Sequence, residues 1–326
     1  LTREEEPFMA KIVDEPGLRQ LLGVEAGQDR APSPYAANAR YLSSLDGFNI
    51  KRPAIPAHVF RAERDRVFDR AAPTGLVPLD LSGLLQLESP GTAPLILARY
   101  ARIRAGERLE TRFVASTELH YAIRGAGTTS FGVDGREAIA WAPGDAFALP
   151  GGTTVRHQAA EDAVLWTVTN EPALAFERCQ PPAPGNPSIR AVHYPAGEIR
   201  RQLQAVYLDP RGASMPGKSV NLGNAALEQA RTTTPTYTLA MNSLLPGESQ
   251  RAHRHNAVAV TLVVAGERCY SLIDGERVDW EPDTVMITPP TRMHSHHNEG
   301  DRLALFLIVQ DGGLYYHCRT MGFSYA

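Results

Sequence analysis

Short runs of apolar, often β-branched residues, closed by Gly, Pro or Asp-Gly, recur through residues 92–170 and again through 236–313. Side chains alternate between the two faces of a strand, so runs of this length and punctuation predict antiparallel strands in all-β units. Neither stretch carries the 3.6-residue period of a long amphipathic helix. Outside them, PGLRQLLGV (16–24) and EIRRQLQAVYL (198–208) predict short helices, and QPPAPGNP (180–187) predicts a connecting loop.

The two β stretches share their landmarks. PLILARYARIRAGE (94–107) matches TYTLAMNSLLPGE (236–248) in period and ending, AIRGAG is answered by VVAGER, FGVDGRE by SLIDGER, and WAPGDAFALPGGT by WEPDTVMITPPTR. Landmarks arriving twice in one order imply a duplicated barrel of roughly 80 residues. Asp134-Gly135 and Asp274-Gly275 are hairpin signals, because such turns need positive φ. The expected organisation is an arm with a short helix (1–75), a first barrel (76–175), a linker segment (176–235) and a second barrel (236–326).

Candidate chemistry gathers in the second copy. His253 and His255 stand two apart in a predicted strand and so share a face, and His294 follows where a returning strand would run beside them. Aligned on Gly106 with Gly247 and on Pro150 with Pro289, the first copy has Arg112, Val114 and Val155 at the three places. Joint presence in one copy and joint absence in the other favours a metal site over three independent structural histidines. Imidazole ligands suit iron, zinc and copper alike, so the donor type does not name the metal.

The succession PGE, HRH, VVAG, DGER, ITPP and MHSHHNEGD resembles the metal-binding barrel of the cupin superfamily. It is most similar to the bicupin ring-cleaving dioxygenases that act on gentisate, salicylate and 1-hydroxy-2-naphthoate, closely over 236–313 and loosely over the first barrel. The resemblance implies an all-β bicupin, two antiparallel jelly-roll barrels with short N-terminal and linker helices. It implies Fe(II) on His253, His255 and His294, an acid/base role for His296, and an aromatic hydroxy acid and O2 as reactants. Cleavage would fall between the carboxyl-bearing and hydroxyl-bearing ring carbons. A homodimer or homotetramer is expected, since exposed strand edges otherwise invite aggregation.

The chain also departs from that pattern. The Glu that many cupins add as a fourth ligand is Ala259, while the first barrel keeps Glu118 at the equivalent place. A substrate-facing Arg is replaced by Thr261, a pocket Gln by Asn242, an aromatic near it by Thr238, and a pocket Asp by Ile308, with Gln310 close by. Lys218 and Arg231 are the candidate cations for a substrate carboxylate. These losses point to a less polar pocket and a substituted ring, such as a nitro- or halo-salicylate. Two other readings stay open: a hydrolase or isomerase using Mn, Zn or Ni, and a non-catalytic binding cupin.

Composition narrows the field further. A formal charge of −3 over 326 residues, with no basic stripe, argues against nucleic acid or an anionic membrane as partner. The apolar runs are too short to cross a bilayer, and REEE at 3–6 is unlike a signal peptide, so a cytoplasmic location is expected. Cys179, Cys269 and Cys318, odd in number and widely spaced, are expected to be reduced and structural.

Overall fold

The structure, a computed structural model, describes residues 14–23, 33–45, 47, 50–214 and 217–326. The chain divides into two compact units, residues 1–51 and 52–326. In the first, a helix spans Glu15–Leu22. The Asp14 carboxylate caps it by accepting from Gly17 N at 3.0 Å, Pro16 lies in its first turn, and Gly23 ends it at φ 64°. Val24, the last residue of the predicted helix, lies outside the described residues.

The second unit holds four antiparallel sheets, two for each barrel. In the second barrel the six-stranded sheet runs His58–Val59, Val285–Thr288, Ala259–Ala265, Ala304–Gln310, Thr238–Leu244, Lys218–Asn221. Facing it is a five-stranded sheet in the order Glu276–Asp279, Cys269–Ile273, His294–Asn298, Ser249–His255, Phe323–Tyr325. The first barrel has the same plan, except that its smaller sheet has four strands and, among the described residues, no counterpart of Phe323–Tyr325. The Asp274-Gly275 hairpin takes the expected positive φ at both residues, 49° and 87°.

The core follows from strand alternation. In Thr117–Arg124, Leu119 and Tyr121 join an apolar cluster that also contains Leu239, Val260 and Leu307 of the second barrel, so the two six-stranded sheets share one core. Side chains of opposite parity fill each barrel's own interior: Ala101, Phe131, Trp141 and Leu165 in the first, Leu244, Val263, Trp280 and Phe306 in the second. Tyr100 closes the contact between barrels by donating its hydroxyl to Asp283 O at 2.7 Å.

The repeat is longer than its sequence landmarks indicate. Ahead of the first barrel lie a strand, a helix and a strand (His58–Val59, Arg61–Phe68, Gly75–Pro78), and ahead of the second the same succession (Val192–Tyr194, Ala196–Leu208, Lys218–Asn221). The leading strand of each succession pairs with the other barrel. His58–Val59 lies against Val285–Thr288, and Val192–Tyr194 against Ala146–Pro150. Three strands from the expected arm and linker, His58–Val59, Val192–Tyr194 and Lys218–Asn221, are thus members of the barrel sheets. Edge strands with unpaired N–H and C=O groups need covering, and each repeat supplies a cover to its neighbour. The helix at Ala196–Leu208 contains the predicted 198–208 and buries Ile199 and Leu203, one turn apart.

All three cysteines are free, with Cys269 buried and Cys179 and Cys318 exposed. Among the described residues no helix is long and apolar enough to cross a membrane.

Candidate metal centre

The strand Ser249–His255 does not alternate evenly. Gln250 pairs with His296, but the next pair is His253 with His294, so one extra residue bulges out between them. The bulge switches parity, and Gln250, His253 and His255 all turn inward. In the first barrel the equivalent strand has no bulge: Leu109 pairs with His157 and Thr111 with Val155. The spatial counterparts of His253 and His255 are therefore Thr111 and Phe113, not Arg112 and Val114 as even spacing suggests. Neither offers an imidazole, so the first barrel lacks the ligand set under either alignment.

His253, His255 and His294 are buried, and their ligand atoms lie within 4.8 Å of one another. Each Nδ1 meets a nearby backbone carbonyl: His253 to Arg251 O at 2.9 Å, His255 to Ala257 O at 2.8 Å and His294 to Arg292 O at 2.9 Å. A carbonyl only accepts, so each Nδ1 carries the hydrogen and each Nε2 keeps its lone pair. Burial holds the rings neutral, lowering His253, bringing His255 down to about 4 and His294 to about 3. Three neutral nitrogen donors oriented by their own carbonyls fit a divalent transition metal.

The three rings open on a cavity of about 570 Å³, within the range of small-molecule sites. Thr238, Asn242, Thr261, Ile308, Gln310, Arg231 and His296 all line it. Lys218 does not. It pairs with Ser243 and donates its ammonium to Gly212 O at 2.6 Å, while the alternate residues of its strand, Ser219 and Asn221, face the cavity. Arg231 is the one Lys or Arg among the described residues lining the cavity.

Several wall residues escape sequence reasoning. Gln250 enters through the bulge, and its Oε1 is buried without a partner, as is Thr261 Oγ1. Tyr316, Met321 and Phe323 come from the last segment of the second barrel. Phe323 lies opposite His255 and Tyr325 opposite His253, so both aromatics share the histidines' face. The Phe323 ring stacks on His253 at 5.2 Å. The alternating aromatics of FSY were a signal, but nothing local says which strand they join.

Deeper in the barrel, His296 is buried with Nδ1 2.8 Å from Ser271 Oγ. His297, of opposite parity, reaches Ser249 and Ser295 and stacks on Tyr270 at 4.7 Å, outside the cavity. Asn298 ties the loop by donating to Leu244 O, Leu245 O and Arg302 O. In the first barrel, His157 occupies the place of His296 and Thr129 that of Ser271, and Glu118 and His120 are buried beside each other, 3.4 Å apart.

Residues 241–310 match the Cupin domain family. Gentisate 1,2-dioxygenase of Ralstonia sp is 35% identical over 91 residues, 28% of this chain and 25% of that protein. The 5-nitrosalicylic acid 1,2-dioxygenase of Bradyrhizobium sp is 28% identical over 88 residues, 27% of this chain and 42% of that one. The match thus spans about a quarter of the gentisate enzyme's length. The salicylate 1,2-dioxygenase of Pseudaminobacter salicylatoxidans has the same fold, with TM-score 0.70 and 16% identity over 97% of this chain and 99% of that one. Fold and site together define a two-barrel chain whose second barrel carries, among the described residues, a candidate three-histidine metal centre. What the chain shares with the salicylate enzyme is the fold, and what it shares with the Cupin domain family is the stretch 241–310.

Proposed function

We propose that this chain is an Fe(II)-dependent ring-cleaving dioxygenase acting on a salicylate-like aromatic acid. The observation that carries the reading is the group of three inward Nε2 lone pairs opening on a cavity of about 570 Å³, in the barrel that matches the Cupin domain family. When bound, ferrous iron supplies Lewis acidity toward an ortho hydroxyl and the one-electron chemistry that lets a spin-paired ring react with O2. The carbon–carbon bond between the carboxyl-bearing and hydroxyl-bearing positions breaks, and both oxygen atoms enter the product.

This chain's residues hold and orient the acid. The Arg231 guanidinium faces the carboxylate, since a charge-assisted contact is what fixes such a group. Gln250 Oε1 and Thr261 Oγ1, both lacking partners, and Asn242 supply hydrogen bonds to ring substituents. Thr238, in place of an aromatic, leaves room beside the ring and Ile308, in place of an Asp, makes that wall apolar, which favours a substituted salicylate over gentisate. The resemblance to a 5-nitrosalicylic acid 1,2-dioxygenase over 88 residues supports that preference. His296 reaches an oxygen of the bound acid or of O2.

Oxygen uptake by anaerobically purified, Fe(II)-loaded protein tests the proposal, against gentisate, salicylate, nitro- and halo-salicylates and 1-hydroxy-2-naphthoate, with bound metal quantified in the same sample. Stoichiometric uptake with one acid, abolished by His253→Ala, is expected. Turnover without oxygen on Mn, Zn or Ni would replace this reading with the hydrolase or isomerase one.

A further inference from the structure

Ser271 stands between two nitrogen atoms in the floor of the second barrel. The Trp280 indole donates Nε1–H to Ser271 Oγ at 2.8 Å, and the same oxygen lies 2.8 Å from His296 Nδ1. An indole nitrogen can only donate, so one lone pair of the hydroxyl is taken. Two acceptors are then in reach of the serine hydrogen: His296 Nδ1 at 2.8 Å, and the Met286 thioether at 3.9 Å. Sulfur is a weak acceptor, and a hydrogen on His296 Nδ1 would leave the serine O–H with only that sulfur. Donation from Ser271 to Nδ1 satisfies every group, whereas the reverse wastes a buried hydroxyl hydrogen.

We infer that Trp280 and Ser271 fix His296 as the Nε2–H tautomer, making it a hydrogen-bond donor toward the pocket. This is the opposite arrangement to the three ligand histidines, whose carbonyl partners keep the hydrogen on Nδ1. The ring lines the cavity, and with Nδ1 turned to Ser271 the polar atom it has to offer is Nε2. A neutral donor at that place stabilises negative charge on a bound oxygen and takes no proton from the substrate, so the acid/base role expected of His296 narrows to donation.

The first barrel supports a backbone-determined arrangement. There Trp141 Nε1 donates to Thr129 Oγ1 at 2.8 Å, and Thr129 Oγ1 lies 2.8 Å from His157 Nδ1. The same three-group chain is built twice on equivalent strands, and in the second barrel it ends on the metal pocket. Trp280 and Ser271 are positioning residues, acting through His296. The tautomer stands on geometry alone, while its service to catalysis rests on the dioxygenase reading.

Two-bond 15N–1H NMR on metal-free, 15N-histidine-labelled protein tests the tautomer, with the His296 signals assigned by their loss in His296→Gln. The expected pattern is a protonated Nε2 and a bare Nδ1 for His296, and the reverse for His253, His255 and His294. Ser271→Ala mixes the His296 tautomers, and Ser271→Thr, the residue type of the first barrel, restores the single pattern. In the iron-loaded enzyme, Ser271→Ala lowers kcat by about tenfold with KM and metal content unchanged, the worth of one hydrogen bond to a charged group. A protonated Nδ1 on wild-type His296, or a tautomer indifferent to Ser271→Ala, overturns the inference. The expected NMR pattern with no oxygen uptake on any aromatic acid supports the tautomer and removes the dioxygenase reading instead.

Discussion

Gln310 Nε2 lies 3.1 Å from His255 Nε2, on the lone pair that a metal ion would take. Because His255 Nδ1 already carries the hydrogen bound to Ala257 O, the amide is the donor in this contact. Metal entry must break it and release Gln310 into the pocket. Gln310→Ala is therefore expected to keep one metal ion per chain and to bind it a few-fold more tightly, the net value of a neutral hydrogen bond being about 1 kcal/mol. Competition with a chromogenic chelator measures this; a variant that binds metal tenfold more weakly would make Gln310 a ligand instead of a competitor.

Arg231 and Lys218 looked equivalent as candidate cations, and the structure separates them. Arg231 lines the cavity, whereas Lys218 turns its ammonium to Gly212 O. Arg231→Ala is expected to raise KM for the aromatic acid by about ten- to hundredfold through loss of a charge-assisted contact. Lys218→Ala is expected to leave KM within about twofold, so steady-state kinetics on the two variants give opposite answers.

Phe323 belongs to a strand with no counterpart among the described residues of the first barrel, and its ring lies beside His253 on the ligand face. Of the aromatic side chains lining the cavity other than histidines, it and Tyr316 both come from beyond Gln310. Phe323→Ala should raise KM about tenfold by removing a ring contact and the area it covers, with metal content unchanged. Loss of metal together with loss of affinity would mean that the strand holds the histidines in place and does not contact the ring.

The first barrel predicts a pH effect on stability. Glu118 is fully buried, and burial, aided by the charge of Glu171 and opposed by Arg99, pushes its carboxyl up to about 8. His120 beside it is brought down to about 3 by burial and stays neutral over the range that matters. A carboxyl raised on folding stabilises fully below its unfolded value near 4.5, and that contribution is lost as pH rises toward 8. Glu118→Gln has no proton to lose, so its melting temperature relative to wild type should climb with pH by several degrees over that interval and then level off. Thermal denaturation across the range checks the sign; a gap that shrinks with rising pH would contradict it.

Much of this was legible in the chain. Period-two alternation and Asp-Gly turns announce the strands, and the duplicated landmarks announce two barrels, because side-chain direction in a strand is a local property. His253, His255 and His294 could be grouped for the same reason, two sharing a parity and the third lying on a returning strand. The pocket positions Thr238, Asn242, Thr261, Ile308, Gln310 and Arg231 came from resemblance and line the cavity together.

What needed the tertiary structure was everything that depends on pairing between distant segments. One extra residue between Gln250 and His253 reverses the inward face of the ligand strand, and it shows only in the register against His294–Asn298. Lys218 and Ser219 exchange roles according to which face their strand turns to Thr238–Leu244. Phe323 reaches the pocket because its strand finds the open edge beside His253 and His255, and His58–Val59 covers an edge more than two hundred residues away. Local sequence determines which way side chains can alternate; long-range hydrogen bonding and burial decide which of the two faces becomes the inside.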